Sequence, residues 1–398
     1  MSTEDGNRDG RQALGLPLLR LTAIILFAAI APSVLLMAPA IAGQLMKQWA
    51  FSTSQVGQLF SAELAAMSLA SLPAFWWQSR LDWRRVGIAA ALVFVAANLA
   101  SVVADGYGWL LAWRIISALG GGTLMVLCMA CAAVSPQRDR VYGLWVAGQL
   151  VLGALGLWVL PVLFARFGLS ALYIGQGLLM LLCLPLARAF PKRLLSSSQR
   201  RSAAWSPAAL WAAGLGIVAV LLFYVGLSGV WTFMGTVAER AGMAAHSAGT
   251  VLALASLMGI AGSIAATVIG PRWPRRRLLI AGYFAMAASV LLLLDHPGTT
   301  RYATAALVFK FTWTFVLPYL LAALADQDRD GRLMSLVNLT IGGGLALGPA
   351  LAGPLMENAS GLTAMLTLSA GCLVVSLLLV LLAAPKAPIA LGFGLERH

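Results

Sequence analysis

Stretches of about 17–25 mostly apolar residues, the length a helix needs to cross a bilayer at 1.5 Å per residue, recur along the whole chain. Twelve can be read, at residues 21–45, 55–77, 86–104, 109–134, 141–165, 171–190, 207–236, 247–269, 278–294, 302–325, 333–356 and 362–384. No soluble core could bury them all. The chain is 60% hydrophobic and 10% charged, whereas a soluble domain carries about a quarter charged residues. Lipid must be the solvent for most of this surface, and the expected fold class is an all-α polytopic membrane protein of twelve transmembrane helices.

The charges between the runs set the orientation. With the N-terminus inside, 21 of the 27 Lys and Arg residues fall on the cytoplasmic side and four on the other; Arg114 and Lys310 remain inside spans. Such a bias is what the positive-inside rule describes. It accounts for the net charge of +13 through anionic headgroups, so no nucleic-acid partner is required. Both termini are expected in the cytoplasm, and the membrane is expected to be a bacterial inner membrane.

A second regularity is a repeat. The stretch 51–85, an apolar run ending in an arginine-rich turn, is echoed 192 residues later at 243–277. At that offset Gly57 falls on Gly249, Arg84 on Arg276, Arg140 on Arg332 and Gly156 on Gly348. Glu63 falls on Ala255, so the architecture is repeated and the acid is not. The chain therefore divides into an N-terminal tail (1–19), a six-helix bundle (20–190), a basic, serine-rich linker (191–206), a second six-helix bundle (207–384) and a C-terminal tail (385–398). Two halves related along the membrane normal are the expected result.

Two six-helix halves, basic loops after the second and eighth spans, Arg114 followed by Gly120-Gly121-Gly122, and the glycine-rich run GGGLALGPALAGP at 342–354 together resemble the major facilitator superfamily. The resemblance extends from Leu21 to Ala384 and implies a secondary transporter that rocks two halves around a midplane site. The superfamily's loop motif, Gly-x-x-x-Asp-Arg-x-Gly-Arg-Arg, is only partly kept. Arg84 and Arg85 match its last two positions, but its aspartate position holds Arg80, and in the second copy Arg272. In the family that acid meets the positive end of a helix dipole. Acids instead occupy the facing loops here, at Asp139, Asp326, Asp328 and Asp330. The expectation is a cytoplasmic gate of reversed sign, Arg80 or Arg84 against Asp330 and Arg272 or Arg276 against Asp139. Solvated topology arginines are the plainer alternative.

Thirteen of the fourteen acids lie in termini or loops, and Glu63 alone lies in a span. A charge at a helix centre costs about 2.5–3.5 kcal/mol on insertion scales, so Glu63, Arg114 and Lys310 need partners or water. The functional reading has all three converge on one cavity, with Glu63 carrying the proton and Arg114 and Lys310 meeting the negative group of the substrate. The competing reading is a buried ion-pair staple between the halves. Tyr224, Trp231, Trp313, Gln149 and Asn338 are candidate lining residues, and Pro32, Pro39 and Pro318 mark expected kinks.

The four cysteines lie in apolar runs and suit helix packing better than metal binding. No hydrolase triad, phosphate loop or metal cluster is present, so an enzyme is not expected, nor is a cofactor. The expected function is a proton-coupled transporter of a small organic solute, an anion or carboxylate, acting as a monomer in the lipid bilayer. A proton-driven multidrug efflux antiporter is the alternative within transport. A non-transporting membrane receptor or sensor on the same fold is the alternative outside it.

Overall fold

The computed structural model describes residues 6–133, 135, 138–191, 207–295, 297–326, 332–358 and 360–383. Among them there is no β-strand. Ten helical stretches are long and apolar enough to cross a membrane. The expected linker, apart from Pro191, and the C-terminal tail lie outside the described residues.

The first expected span is not one helix. It runs as α1 (Gly6–Ile30), a single turn α2 (Ser33–Leu36) and α3 (Ala38–Trp49). The breaks have a simple cause. A proline supplies no N–H, so the carbonyl four residues before it loses its helical donor. Pro32 deprives Ala28 of a donor, and Pro39 deprives Leu35. Side chains from elsewhere fill both gaps: Gln149 Nε2 donates to the Ala28 carbonyl at 2.9 Å, and Trp231 Nε1 donates to the Leu35 carbonyl at 3.0 Å. The kinks expected at Pro32 and Pro39 are therefore found. Pro318 lies within a helix that continues past it.

The second span is α4 (Thr53–Leu69) followed by α5 (Ser71–Arg80). Its start is fixed by a capping box, in which Ser52 caps the Gln55 N–H and the Gln55 side chain returns to the Ser52 N–H. The remaining N-terminal helices are α6 (Trp83–Val102), α7 (Tyr107–Ala133), α8 (Arg138–Phe167) and α9 (Ser170–Cys183), the last continued by a 3-10 segment (Leu184–Ala189). The second half comprises α10 (Pro207–Arg240), α11 (Ala245–Ile269), α12 (Arg275–Leu291), α13 (Thr299–Ala325), α14 (Arg332–Leu355) and α15 (Gly361–Ala383). At 17 residues α12 is the shortest of these six.

The two halves meet mainly through α4 against α14 and α8 against α11, with α3 against α10. The 192-residue offset survives at the level of single contacts. Gly57 of α4 lies on the carbonyl of Pro349 in α14, and its counterpart Gly249 of α11 lies on the carbonyl of Leu157 in α8, itself the counterpart of Pro349. A Cβ at either glycine would collide with backbone, so only glycine allows these approaches. Within the halves the same holds: Gly156 packs on Met37, and Gly348 packs on Gly229, the residue 192 positions after Met37.

The described hydrogen bonds that tie α4 to α14 and the residues after it lie at the end away from the arginine-rich loops. There Thr53 Oγ1 donates to the Gly353 carbonyl at 2.8 Å, and the Ser54 N–H donates to Glu357 Oε1 at 3.2 Å. A cavity of about 600 Å³ is lined by α3, α8, α10 and α11, with Lys47, Glu239 and Gly249 among its walls.

Candidate functional site

Glu63, Arg114 and Lys310 are all buried, at 4%, 1% and 3% exposure. They do not form one constellation. Arg114 Nη2 is paired with Glu63 Oε1, and Arg114 Nη1 donates to Asn98 Oδ1 at 2.8 Å. Asn98 Nδ2 in turn donates to the Phe94 carbonyl and to Ser117 Oγ, at 2.8 and 2.9 Å. The guanidinium also lies 5.1 Å above the Tyr173 ring. All of these groups come from α4, α6, α7 and α9, so the acid and the arginine are held within the N-terminal half. The pair does not bridge the halves. Two opposite charges on adjacent helices at low dielectric find each other directly, and Asn98 meets a further guanidinium donor.

Asn98 and Tyr173 were not among the residues the sequence pointed to. Asn98 could have been found, as an amide inside an apolar run needs a partner as a charge does. Tyr173 carries no such signal.

Lys310 lies elsewhere, on α13. Its Nζ sits 3.9 Å from the centroid of Trp231 and 4.0 Å from that of Trp313, between the two indoles. The rings meet edge to face at 81°, with centroids 6.4 Å apart. Among the described residues no carboxylate pairs with this ammonium, and no described contact joins it to Glu63 or Arg114. A cation between two indole faces gains about 0.5–2 kcal/mol from each ring quadrupole, which offsets part of its desolvation. The cage borders the seam. Trp231 reaches across to Leu35, and Gly259 of α11 is packed against both the Lys310 stem and Leu150 of α8.

The other expected lining residues separate. Trp231 and Trp313 join Lys310. Gln149 is occupied by the Ala28 carbonyl. Tyr224 is buried against Phe223 and Gly344 within the second half. Asn338 is exposed on α14.

At the basic end, Arg84 Nε donates to the Phe190 carbonyl at 2.7 Å, and Arg80 lies exposed 5.3 Å above the Trp76 ring. Arg272 meets the Val268 carbonyl, and Arg276 is exposed. An ion pair absent from the expected set joins Arg275 to Asp326 at 2.5 Å, on neighbouring helices of the same half. Asp330 and the Asp139 side chain lie outside the described residues.

Similarity to known proteins agrees with this architecture. A bacterial homologue of the human lysosomal transporter Spinster, in an inward-facing and unoccupied conformation, superposes with a TM-score of 0.65 at 16% identity, covering 93% of this chain and 96% of that one. The nucleoside transporter NupG superposes with a TM-score of 0.67 at 13% identity, covering 93% and 98%. In sequence, a stretch of 142 residues is 28% identical to the niacin transporter NiaP of Acinetobacter baylyi, and spans about a third of each chain (33% and 32%). The MFS-type transporter YcaD of Escherichia fergusonii is 21% identical over 319 residues, 77% of this chain and 81% of that protein. Residues 21–327 match the family model described as Major Facilitator Superfamily. The duplicated helical halves and this match lead to one conclusion: the chain is a membrane transporter, not an enzyme, and belongs to the Major Facilitator Superfamily.

Proposed function

We propose that this protein moves a small organic carboxylate across the bacterial inner membrane by alternating access, coupled to protons, with its arginine-rich end in the cytoplasm. One observation carries the substrate class: Lys310 stands at the seam between two indoles, and no carboxylate among the described residues pairs with it. An ammonium in that setting is completed by an anion from outside the protein. The flanking rings favour a planar one, which can lie on an indole face while its carboxylate reaches the ammonium. The partial likeness to a niacin transporter supports the same class, since niacin is a heteroaromatic acid.

Arg114 is less suited to this role, because Glu63 and Asn98 already occupy its guanidinium. The same pairing weighs against a drug-efflux antiporter. The one acid within a span is neutralised inside its own half by Arg114.

The test is uptake into proteoliposomes under an imposed pH gradient, with radiolabelled nicotinate, benzoate, short aliphatic acids and neutral nucleosides as the panel. The expected result is uptake of one or more carboxylates, competition among planar acids, and loss on Lys310→Ala. Transport of neutral solutes with no competition by acids would defeat this reading.

A further inference from the structure

The seam cation is a lysine in a chain that otherwise uses arginine almost throughout. Of its 27 basic residues only four are lysines, Lys47, Lys192, Lys310 and Lys386, and Lys310 alone lies in a span. The distinction is chemical. A guanidinium keeps its proton under any condition a protein meets, whereas an amine can release one. The span's other cation, Arg114, has a permanent counter-ion in Glu63. The cation without one among the described residues is of the kind that can become neutral.

We propose that Lys310, and not Glu63, is the proton carrier of the transport cycle. Building on the carboxylate reading above, the amine takes up one proton, meets the substrate carboxylate as an ammonium, and releases the proton after the carboxylate has left. One proton and one monocarboxylate move together, so no net charge crosses the membrane. The empty seam then returns without a buried, uncompensated ammonium, the state whose cost would otherwise stall the return.

Among the described residues, the surroundings of Lys310 offer no rival group. The residue facing it on α10 is Trp231, on α11 Gly259, and on α13 itself Trp313. Among the described residues, the titratable groups on α13 and on the elements packed against it are engaged elsewhere or lie near the helix ends. Tyr224 of α10 packs on Phe223, Tyr283 of α12 is bonded to Ser376 at 2.9 Å, and Tyr302, two turns before Lys310, bonds the Met234 carbonyl at 3.0 Å. Glu239 and Arg240 of α10, His246 of α11 and Arg275, Arg276 and Arg277 of α12 are exposed. Leu150 is the neighbour across the seam.

Two measurements test the proposal, one of them free of substrate. Trp231 and Trp313 report directly on the charge between them, so tryptophan emission of the protein in lipid nanodiscs is titrated with pH. The expected result is a step present in the wild type and in the doubly neutral E63Q/R114Q, and absent in K310R and K310M. No step, a step that persists in K310M, or a step lost in E63Q/R114Q would overturn the proposal. In proteoliposomes, wild-type uptake is expected to follow the pH gradient and to ignore a potassium-diffusion potential. K310R, holding its proton permanently, is expected to keep carboxylate exchange while net pH-driven uptake falls by about tenfold or more. Net uptake by K310R at the wild-type rate would sink the carrier role. A wild type that carries no acid at all would remove the substrate reading, and the titration would still decide whether Lys310 exchanges a proton.

Discussion

Glu63 of α4 and Arg114 of α7 face each other inside one half of the protein, with Asn98 and Tyr173 on the other sides of the guanidinium. Removing one member of a buried ion pair leaves the other as a lone charge, which costs about 3–5 kcal/mol, while replacing both by neutral groups is far better tolerated. Glu63→Gln and Arg114→Gln should each lower the thermal unfolding temperature in detergent, and E63Q/R114Q should recover most of the loss. Single variants as stable as the wild type would mean that water or lipid headgroups reach the pair.

The matched approaches of Gly57 to Pro349 and Gly249 to Leu157 are points where the halves touch backbone to backbone. Gly57→Leu and Gly249→Leu should each hold this end of the seam apart, because the interior cannot yield the volume of a side chain. Transport should fall by about tenfold or more in both, with normal amounts of protein in the membrane. Gly43→Ala, at a site with nothing within 4 Å, serves as the control and should transport normally.

The bond from the Ser54 N–H to Glu357, beside that from Thr53 to Gly353, closes the end away from the basic loops. The Glu357 carboxylate also sits at the positive end of α4, a favourable place for an anion. Glu357→Gln combined with Thr53→Val should weaken closure by about 1–2 kcal/mol. A cysteine introduced at Val56, buried on α4 beside these bonds, should then react faster with a membrane-impermeant maleimide. Unchanged labelling rates would mean that the glycine contacts alone keep this end shut.

The two carbonyls left over by Pro32 and Pro39 give a further pair of expectations. Gln149→Leu strands the Ala28 carbonyl and should cost about 1–3 kcal/mol of stability. Trp231→Phe keeps a ring beside Lys310 but gives up the bond to Leu35. It should raise KM for a transported acid more than it lowers the unfolding temperature. An unaltered KM would place the substrate away from this ring.

The sequence alone carried the scaffold a long way, because apolar length and arginine placement are one-dimensional properties. The offset of 192 residues proved good enough to pair Gly57–Pro349 with Gly249–Leu157. Pairing among the buried charges was harder to read. Depth along a helix follows from counting, and depth alone suggested one chamber for three charges. Which way a side chain points around its helix depends on how neighbouring helices are turned, and this set Glu63 against Arg114. The broken first span was foreshadowed by its prolines, but their unmatched carbonyls gave no hint that Gln149 and Trp231 would fill them.

The indole of Trp231 has two attachments, one face over an ammonium from its own half and its N–H on the backbone of the opposite half, where the first helix has come apart. Anything that dislodges this ring must either sever its tie to Leu35 or drag that loosened turn along. The position of the Lys310 ammonium and the bend of the first helix are thus mechanically joined, with a single side chain as the tether.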